Sequence, residues 1–309
     1  MNQFKNKVIM VTGATGFLGQ ALTKELLKHN PKKVIVYSRG EYRQFIMQRD
    51  FNDERLRFFI GDVRDKSRLN MAMRGVDFIV HAAALKQVPA MEYNPQEAIK
   101  TNVFGAMNVI ESAIENKVKK VVAISTDKAV HPVNLYGATK LCADKLFING
   151  NALGKTLFSV VRYGNVADST GSVIPYFKKM IAVGERTLPI TDARMTRFHI
   201  DIQQAIDLIF TAFTEMQGGE TYIAKIPSYK LIDLVKHFKC NYKVIGIRPG
   251  EKLHEIMITS EDAQRTYEFK NYYVIYPMID WIVKRKLNGK RVPEDFSYES
   301  NKNKEWVFK

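Results

Sequence analysis

Cysteine is scarce in this chain: Cys142 and Cys240 are the only two among 309 residues. Two thiols so far apart make neither a metal-ligand spacing nor a disulfide framework, so a reduced, cytoplasmic protein with no metal site is expected. Long hydrophobic runs are also missing. No apolar stretch is long enough to cross a bilayer, and residues 1–7 lead into a strand pattern rather than a signal core with a small-residue cleavage site. A soluble chain without a membrane partner is the expectation. No segment is biased enough to be disordered, and there is no internal repeat. Acidic residues are outnumbered, giving a formal net charge of +15. No zinc-finger, basic-zipper or aromatic RNA-binding pattern accompanies that charge. The basic residues are spread along the chain, with mild enrichment from Lys284 to Lys309. They read as a lysine-rich surface suited to anionic ligands, and nucleic acid is set aside as a partner.

What is present is a regular rhythm. At 46% hydrophobic, the chain can bury a substantial core in one large domain or two. Short apolar strands are expected at 8–12, 34–37, 57–60, 78–81, 121–125 and 158–162. Helices are expected at 17–29, where Leu18, Leu22 and Leu26 share a face, at 103–115 and at about 138–147. Alternating strands and helices predict an α/β fold, a Rossmann-type doubly wound parallel sheet with helices on both faces. After Arg162 glycine and proline become frequent and the rhythm breaks. The expected division is a dinucleotide-binding domain at 1–164, with a helix in 198–216 returning to it. Residues 165–197 and 217–309 would then form a smaller, C-terminal substrate-binding lobe.

The turn after the first strand reads Thr12-Gly13-Ala14-Thr15-Gly16-Phe17-Leu18-Gly19. Glycines at these places allow a tight turn, let backbone N–H groups approach a pyrophosphate, and let helix pack on strand. The helix N-terminus then faces the phosphates with its positive dipole end. A bare βα turn is the bland alternative, but a strand precedes this turn and further βα units follow it. The second strand ends in Tyr37-Ser38-Arg39 rather than in an acidic residue. An arginine there suits a 2′-phosphate, so NADP is the expected cofactor, with Arg43 as a second positive contact and Glu41 dissenting. Asp62 and Val63 are placed beside the adenine. Ala82, Ala83 and Ala84 would let the backbone lie along the cofactor, with Lys86 just beyond.

Two elements carry chemistry. Ser125-Thr126-Asp127-Lys128 lies past the fifth strand, and Tyr136-Gly137-Ala138-Thr139-Lys140 enters the next helix. Tyr136 and Lys140 share a helical face, so the Lys140 ammonium would favour the Tyr136 phenolate and let it take a proton. Thr126 would hydrogen-bond the same reacting hydroxyl.

On these motifs the sequence resembles the extended short-chain dehydrogenase/reductase family. A closer resemblance, running nearly the whole chain, is to inverting UDP-N-acetylglucosamine 4,6-dehydratases, the enzymes that open the pseudaminic acid pathway. It is carried by the segments 58–65, 81–89, 125–128, 134–146, 159–166, 190–198 and 247–255, and by Tyr298, Asn303 and Trp306. Departures are Gln87, where relatives often have His, Gly40, where Asp is common, and Ala98.

The resemblance implies a lyase with a balanced redox cycle. Tyr136 would deprotonate the C4 hydroxyl as hydride leaves C4. Lys128 would take the C5 proton, and Asp127 would protonate the departing C6 oxygen. Reprotonation from the other face would invert C5. Asp127 and Lys128 must then be neutral, so burial and neighbouring charge must shift both; an exposed ion pair is the plain alternative. The UDP-sugar would be held by Lys86, Asn165, Val173, Leu188, Thr191, Arg197, Arg248 and Glu251, with Arg197 and Arg248 on the diphosphate. The family also implies a homo-oligomer, up to a hexamer. The rival activities are a 4- or 5-epimerase on the same fold and a silent NADP-binding regulator, and five intact catalytic side chains speak against the latter.

Overall fold

The computed structural model describes residues 3–169, 171–278 and 286–308. Lys284 and Lys309, the ends of the basic enrichment, lie outside the described residues. The first half alternates as β1 (Val8–Thr12), α1 (Phe17–Lys28), β2 (Lys33–Ser38), α2 (Glu41–Phe51), β3 (Leu56–Ile60), α3 (Lys66–Ala72) and β4 (Phe78–His81). Short helices α4 (Val88–Tyr93) and α5 (Pro95–Ile99) follow, then a π-helical stretch at Lys100–Phe104 that runs into α6 (Gly105–Glu115). Next come β5 (Lys120–Thr126), a 3₁₀ turn at Asp127–Ala129, α7 (Leu135–Gly150) and β6 (Leu157–Tyr163). Val and Ile dominate β1, β2 and β5, and nearly every residue of these strands is buried, as expected for parallel strands covered on both faces.

All six strands stand where the apolar runs predicted them, within a residue or so at each end. The second and third helices expected start elsewhere: α6 begins at Gly105 behind the π stretch, and α7 extends three residues beyond 138–147 at each end. The helix α2 had no visible signal, because its sequence is mostly polar and it buries only Gln44 and Met47.

Beyond β6 lie β7 (Asn165–Val166), α8 (Val173–Ala182), β8 (Thr187–Ile190), β9 (Thr196–Ile200) and α9 (Ile202–Glu215). The remainder is β10 (Thr221–Ala224), β11 (Ser228–Lys230), α10 (Leu231–His237), β12 (Asn241–Val244), β13 (Ile256–Ile258), α11 (Ser260–Ala263), β14 (Thr266–Glu268), β15 (Tyr272–Ile275), β16 (Lys290–Arg291) and β17 (Tyr298–Glu299). Among the described residues the central sheet has ten strands, ordered β16-β14-β15-β10-β6-β5-β4-β1-β2-β3. From β3 to β10 all pairings are parallel, and β15, β14 and β16 extend the sheet antiparallel. Sheet growth reverses direction between β1 and β4, which opens a crevice at their carboxyl ends.

One face of the sheet is covered by Leu22 and Leu26 of α1 with Ile206, Ile209 and Phe213 of α9. The other is covered by Leu69 of α3, Val109 and Ile110 of α6 and Phe147 of α7. The expected lobe boundary needs correction here. Four strands from 217–309 (β10, β14, β15 and β16) belong to the central sheet. These strands are only two to four residues long, too short for their periodicity to announce which sheet they join.

The remaining pieces form a separate layer over the strand ends, made of β11-β9-β7, β12-β8 and β13-β17. Its own small core includes Ile174, Phe177, Leu188, Ile190, Tyr229 and Leu234. Among the described residues no helix is long and apolar enough to cross a membrane, and no group of His, Cys, Asp and Glu is arranged to hold a metal ion.

The chain's last described residues clasp this layer. The Tyr298 hydroxyl donates to the Ile226 carbonyl at 2.8 Å and accepts from the Ile226 N–H at 2.9 Å. Asn303 Nδ2 donates to the same carbonyl at 2.7 Å, and Trp306 Nε1 donates to the Asn303 carbonyl. These resemblance-bearing residues are therefore braces. Tyr298→Phe strands a buried N–H, and urea unfolding should show a loss of about 1–3 kcal/mol.

Candidate active site

The crevice is floored by the glycine turn. Gly13 has φ +71°, and a Cβ built on it would lie 2.9 Å from the Ala82 carbonyl and Ala83 Cα. Only glycine lets the turn sit this close to the end of β4. The N-cap of α1 is Gly16, and no side chain makes a cap hydrogen bond to its first turn, Phe17, Leu18 and Gly19. This is the geometry of an anion cradle. Thr15 is buried at its edge.

At the rim, Arg39 is half-exposed and its Nη1 lies 3.8 Å from Asp62 Oδ2. Arg43 is exposed on the first turn of α2. Ser38 is buried, and Gln44 Nε2 donates to its hydroxyl at 3.0 Å. Asp62, expected beside the adenine, is engaged by its own neighbour. Its Oδ2 accepts from Arg64 Nε and Nη2 at 2.9 and 2.7 Å, and its Oδ1 accepts from the Arg64 N–H. Val63 is buried in the core against Gly105 rather than lining the crevice with its side chain. Ala82 and Ala83 are half-buried along the crevice, and Ala84 is exposed.

The catalytic candidates converge on the C-terminal end of β5. Thr126 caps the 3₁₀ turn that carries Asp127 and Lys128. Asn134 caps α7 by accepting from the Gly137 N–H at 2.8 Å, and its Nδ2 donates to the Gly250 carbonyl at 2.8 Å. Capping thus fixes where α7 begins, and Gly137 lets that first turn press onto the Lys128 backbone. Asn102, on the π stretch, exchanges hydrogen bonds with both backbone groups of Leu85 and donates to Thr139 at 3.0 Å. It ties the loop after β4 to α7.

Within this frame Asp127 is fully buried. It accepts from Thr126 Oγ1 at 2.9 Å and from Lys128 Nζ at 3.0 Å on Oδ1, while Oδ2 has no hydrogen-bond partner. Burial pushes the Asp127 carboxyl above its ordinary range, toward the neutral acid. Lys128 behaves oppositely to its expected neutral form. Burial pulls its amine down, but Asp127 and Glu255 outweigh this and hold it as an ammonium, above the usual lysine range. Asn165 Oδ1 accepts from the same Nζ at 3.2 Å, so Asn165 sits at the catalytic turn as an acceptor.

Tyr136 is hydrogen-bonded with Thr126. Burial pushes its phenol up to about 12, with Lys128 and the Thr126 bond pulling the other way. Of the neighbouring charges, Lys128 lowers this phenol most. Lys140 is buried, and burial pulls its amine below the usual range against the pull of Asp144.

Sequence reasoning missed Glu255. Its side chain is only 3% exposed, with Oε1 3.5 Å from Lys128 Nζ and 3.8 Å from Arg197 Nε. Lys128 and Arg197 come from distant parts of the chain and only Lys252 is near in sequence, so no local spacing announces the cluster.

The lobe residues divide. Arg197 was expected on a diphosphate, but its Nη1 donates to the Thr196 and Leu253 carbonyls at 2.8 and 3.1 Å, so its fork is spent inside the lobe. Arg248 is 67% exposed and pairs with Glu251 through Nε at 2.9 Å. The buried Oε2 of Glu251 has no hydrogen-bond partner. Leu188 points its side chain into the lobe core, and Thr191 Oγ1 bonds to Met195 Sδ. Val173 opens α8, half-buried. Lys86, after β4, has its amine pulled down by burial and by Lys128, which sets it on the catalytic side of the crevice. Gln87 caps α4 and reaches Gly171 across the mouth.

A parallel sheet with its glycine turn at the switch point, and a Thr–Tyr–Lys set at the end of its fifth strand, define an extended short-chain dehydrogenase/reductase. The chain belongs to the family described as "Polysaccharide biosynthesis protein", whose model matches residues 9–277. It is similar, at 53% identity over 318 aligned positions, to UDP-N-acetylglucosamine 4,6-dehydratase (inverting) of Campylobacter jejuni subsp. jejuni serotype O:23/36 (strain 81-176), covering 98% of this chain and 95% of that one. A UDP-glucose 4-epimerase of Rickettsia conorii is 41% identical over 285 positions, covering 88% and 83%. The X-ray structure of Pen from Bacillus thuringiensis aligns with a TM-score of 0.90 and 37% identity, over 97% and 95% of the two chains.

The contact between α7 and the catalytic turn can be tested by its sign. A Cβ at Gly137 would stand 2.1 Å from the Lys128 carbonyl oxygen. Helix propensity alone predicts that Gly137→Ala stabilises the protein by about 1 kcal/mol. The clash instead predicts a loss of about 1–3 kcal/mol, read from urea unfolding.

Proposed function

We propose that this protein is an NADP-dependent UDP-N-acetylglucosamine 4,6-dehydratase that inverts C5, a lyase yielding a UDP-4-keto-6-deoxy-N-acetylhexosamine. The carrying observation is the buried Asp127–Lys128 pair beside Thr126 and Tyr136. An epimerase needs only the hydroxyl, the phenol and the helix lysine, as in Thr126, Tyr136 and Lys140, whereas a dehydratase also needs an acid and a base. The 53% identical relative from Campylobacter jejuni bears the dehydratase's name.

The residues present fit a dinucleotide. Gly13 leaves a cradle that a Cβ would fill, and the uncapped α1 N-terminus faces it. Gly13, Thr15, Gly16, Phe17, Leu18 and Gly19 would hold the pyrophosphate, with Ser38, Arg39 and Arg43 toward a 2′-phosphate. Bound there, the dinucleotide supplies a reversible hydride acceptor that takes hydride from C4 and returns it to C6, so no net oxidation occurs.

The chain's own groups move the protons. Tyr136, as the phenolate that the Lys128 and Lys140 side chains favour, accepts the C4 hydroxyl proton while Thr126 orients that hydroxyl. Lys128 Nζ then passes a proton to Asp127 along their 3.0 Å hydrogen bond. That single transfer leaves a neutral amine and a neutral carboxylic acid, the two forms the elimination requires. Lys128 takes the C5 proton, which the 4-ketone has acidified. The electron pair expels the C6 oxygen, Asp127 protonates it, and water leaves. A proton from solvent adds to C5 on the opposite face and inverts that centre, and Tyr136 returns its proton to solvent. With Lys128 again an ammonium and Asp127 again a carboxylate, the starting state is restored. In the lobe, Arg248, exposed and paired with Glu251, remains the group best placed to reach the nucleotide, with Asn165 and Lys86 near the sugar.

The experiment is incubation of purified protein with UDP-N-acetylglucosamine and no added cofactor. Loss of one water from the product, with C5 inversion and solvent deuterium at C5 by NMR, is the expected outcome; unchanged mass with a shifted sugar spectrum means a 4-epimerase. Lys128→Ala should keep its cofactor and lower dehydration about 10²–10⁴-fold. Normal dehydration by that variant removes Lys128 from the role of base. Arg39→Ala should weaken NADP binding about 10–100-fold, the loss of one charged contact, and leave NAD binding unchanged in parallel calorimetric titrations.

A further inference from the structure

We propose that Glu255 is a positioning residue whose buried carboxylate, 3.5 Å from Lys128 Nζ, orients that ammonium and sets the proton affinity of the Asp127–Lys128 pair. This rests on the reading of that pair as acid and base. Glu255 stands just before β13, and its backbone is pinned on both sides. Its N–H donates to Ser300 Oγ at 2.9 Å, and the Ser300 N–H donates to its carbonyl at 2.9 Å. The carboxylate is therefore held inward, 3% exposed.

Every element packed on it presents a charged or titratable group. Lys128 comes from the catalytic turn and Arg197 from β9, 3.5 and 3.8 Å from Oε1; Lys252 comes from its own loop, 3.8 Å from Oε2. Asp127 lies behind Lys128, and Tyr229 of β11 is close enough to feel the cluster. The buried Oε2 has no hydrogen-bond partner, unlike most buried carboxylate oxygens that merely join loops. What engages this group is charge. Lys128, Arg197 and Lys252 against Asp127 and Glu255 leave one net positive charge when all five are ionised. Without Glu255 the same pocket holds two. Lys128 then loses its proton more readily, and Asp127 holds one less well, so both move acidward.

The test reads Lys128 directly, in the whole protein without substrate, by ¹⁵N NMR of lysine-labelled protein with Lys128→Arg to assign the signal. Wild-type Lys128 should stay an ammonium beyond pH 10.5, the ordinary lysine value. Glu255→Gln should lower its titration by about one to three pH units, as for loss of an adjacent opposite charge. Glu255→Asp, which keeps the charge, should restore most of it. The pH profile of dehydration by Glu255→Gln should shift acidward on both limbs, where a merely structural residue lowers the rate without moving the limbs. An unmoved Lys128 titration in Glu255→Gln overturns the proposal. Should that variant not fold, a wild-type Lys128 that titrates below pH 10 overturns it equally. Because the titration needs no turnover, its result is separate from whether the chain dehydrates UDP-N-acetylglucosamine.

Discussion

The lysine ammonium at position 128, lying between the buried carboxylates of Asp127 and Glu255, is the interaction around which this molecule is built. Ions taken out of water cost several kcal/mol each after relaxation, and their mutual attraction offsets that only in close geometry. Two layers must therefore meet accurately at one place. The central sheet brings Asp127 and Lys128 at the end of β5, and the upper layer brings Glu255, Arg197 and Lys252. Neither layer could leave its share of this charge buried alone.

Much of the surrounding architecture serves that meeting. Gly137 lets α7 rest on the Lys128 carbonyl, and Asn134 joins the start of α7 to Gly250 in the upper layer. Deeper in, Asp144 on α7 accepts from Ser125 Oγ at 2.7 Å and lies 3.5 Å from Arg162 Nη2, whose Nη1 donates to the Met257 carbonyl beside Glu255. A second, fully buried charge pair thus runs under the first and fixes β5, β6, α7 and β13 relative to one another. Polar networks of this kind are costly when incomplete, and for that reason they specify one arrangement.

The same cluster explains a division of labour that spacing could not show. A Tyr–Lys pair four residues apart on a helix invites the view that the lysine governs the phenol. In the folded chain Lys140 is buried on α7, and burial together with the Lys140 charge holds the His81 imidazole neutral. Lys128, from the neighbouring turn, also acts on the Tyr136 phenol. Arg197 likewise has the chemistry for phosphate but spends its donors on the lobe's backbone, while Arg248 keeps an exposed side chain.

The sequence by itself determined the parallel sheet, because β-branched apolar runs separated by amphipathic helices bury in only one kind of layer. It also determined the glycine turn at β1 and the places of Thr126, Asp127, Lys128, Tyr136 and Lys140, since those patterns are local and short. The tertiary structure alone decided which sheet the two- to four-residue strands after residue 217 would join, and which charges would face which. Glu255 meets Lys128 across more than a hundred residues of chain. Whether an amine rests charged or neutral depends on the sum of burial and of all such neighbours, and that sum exists only once the chain has folded.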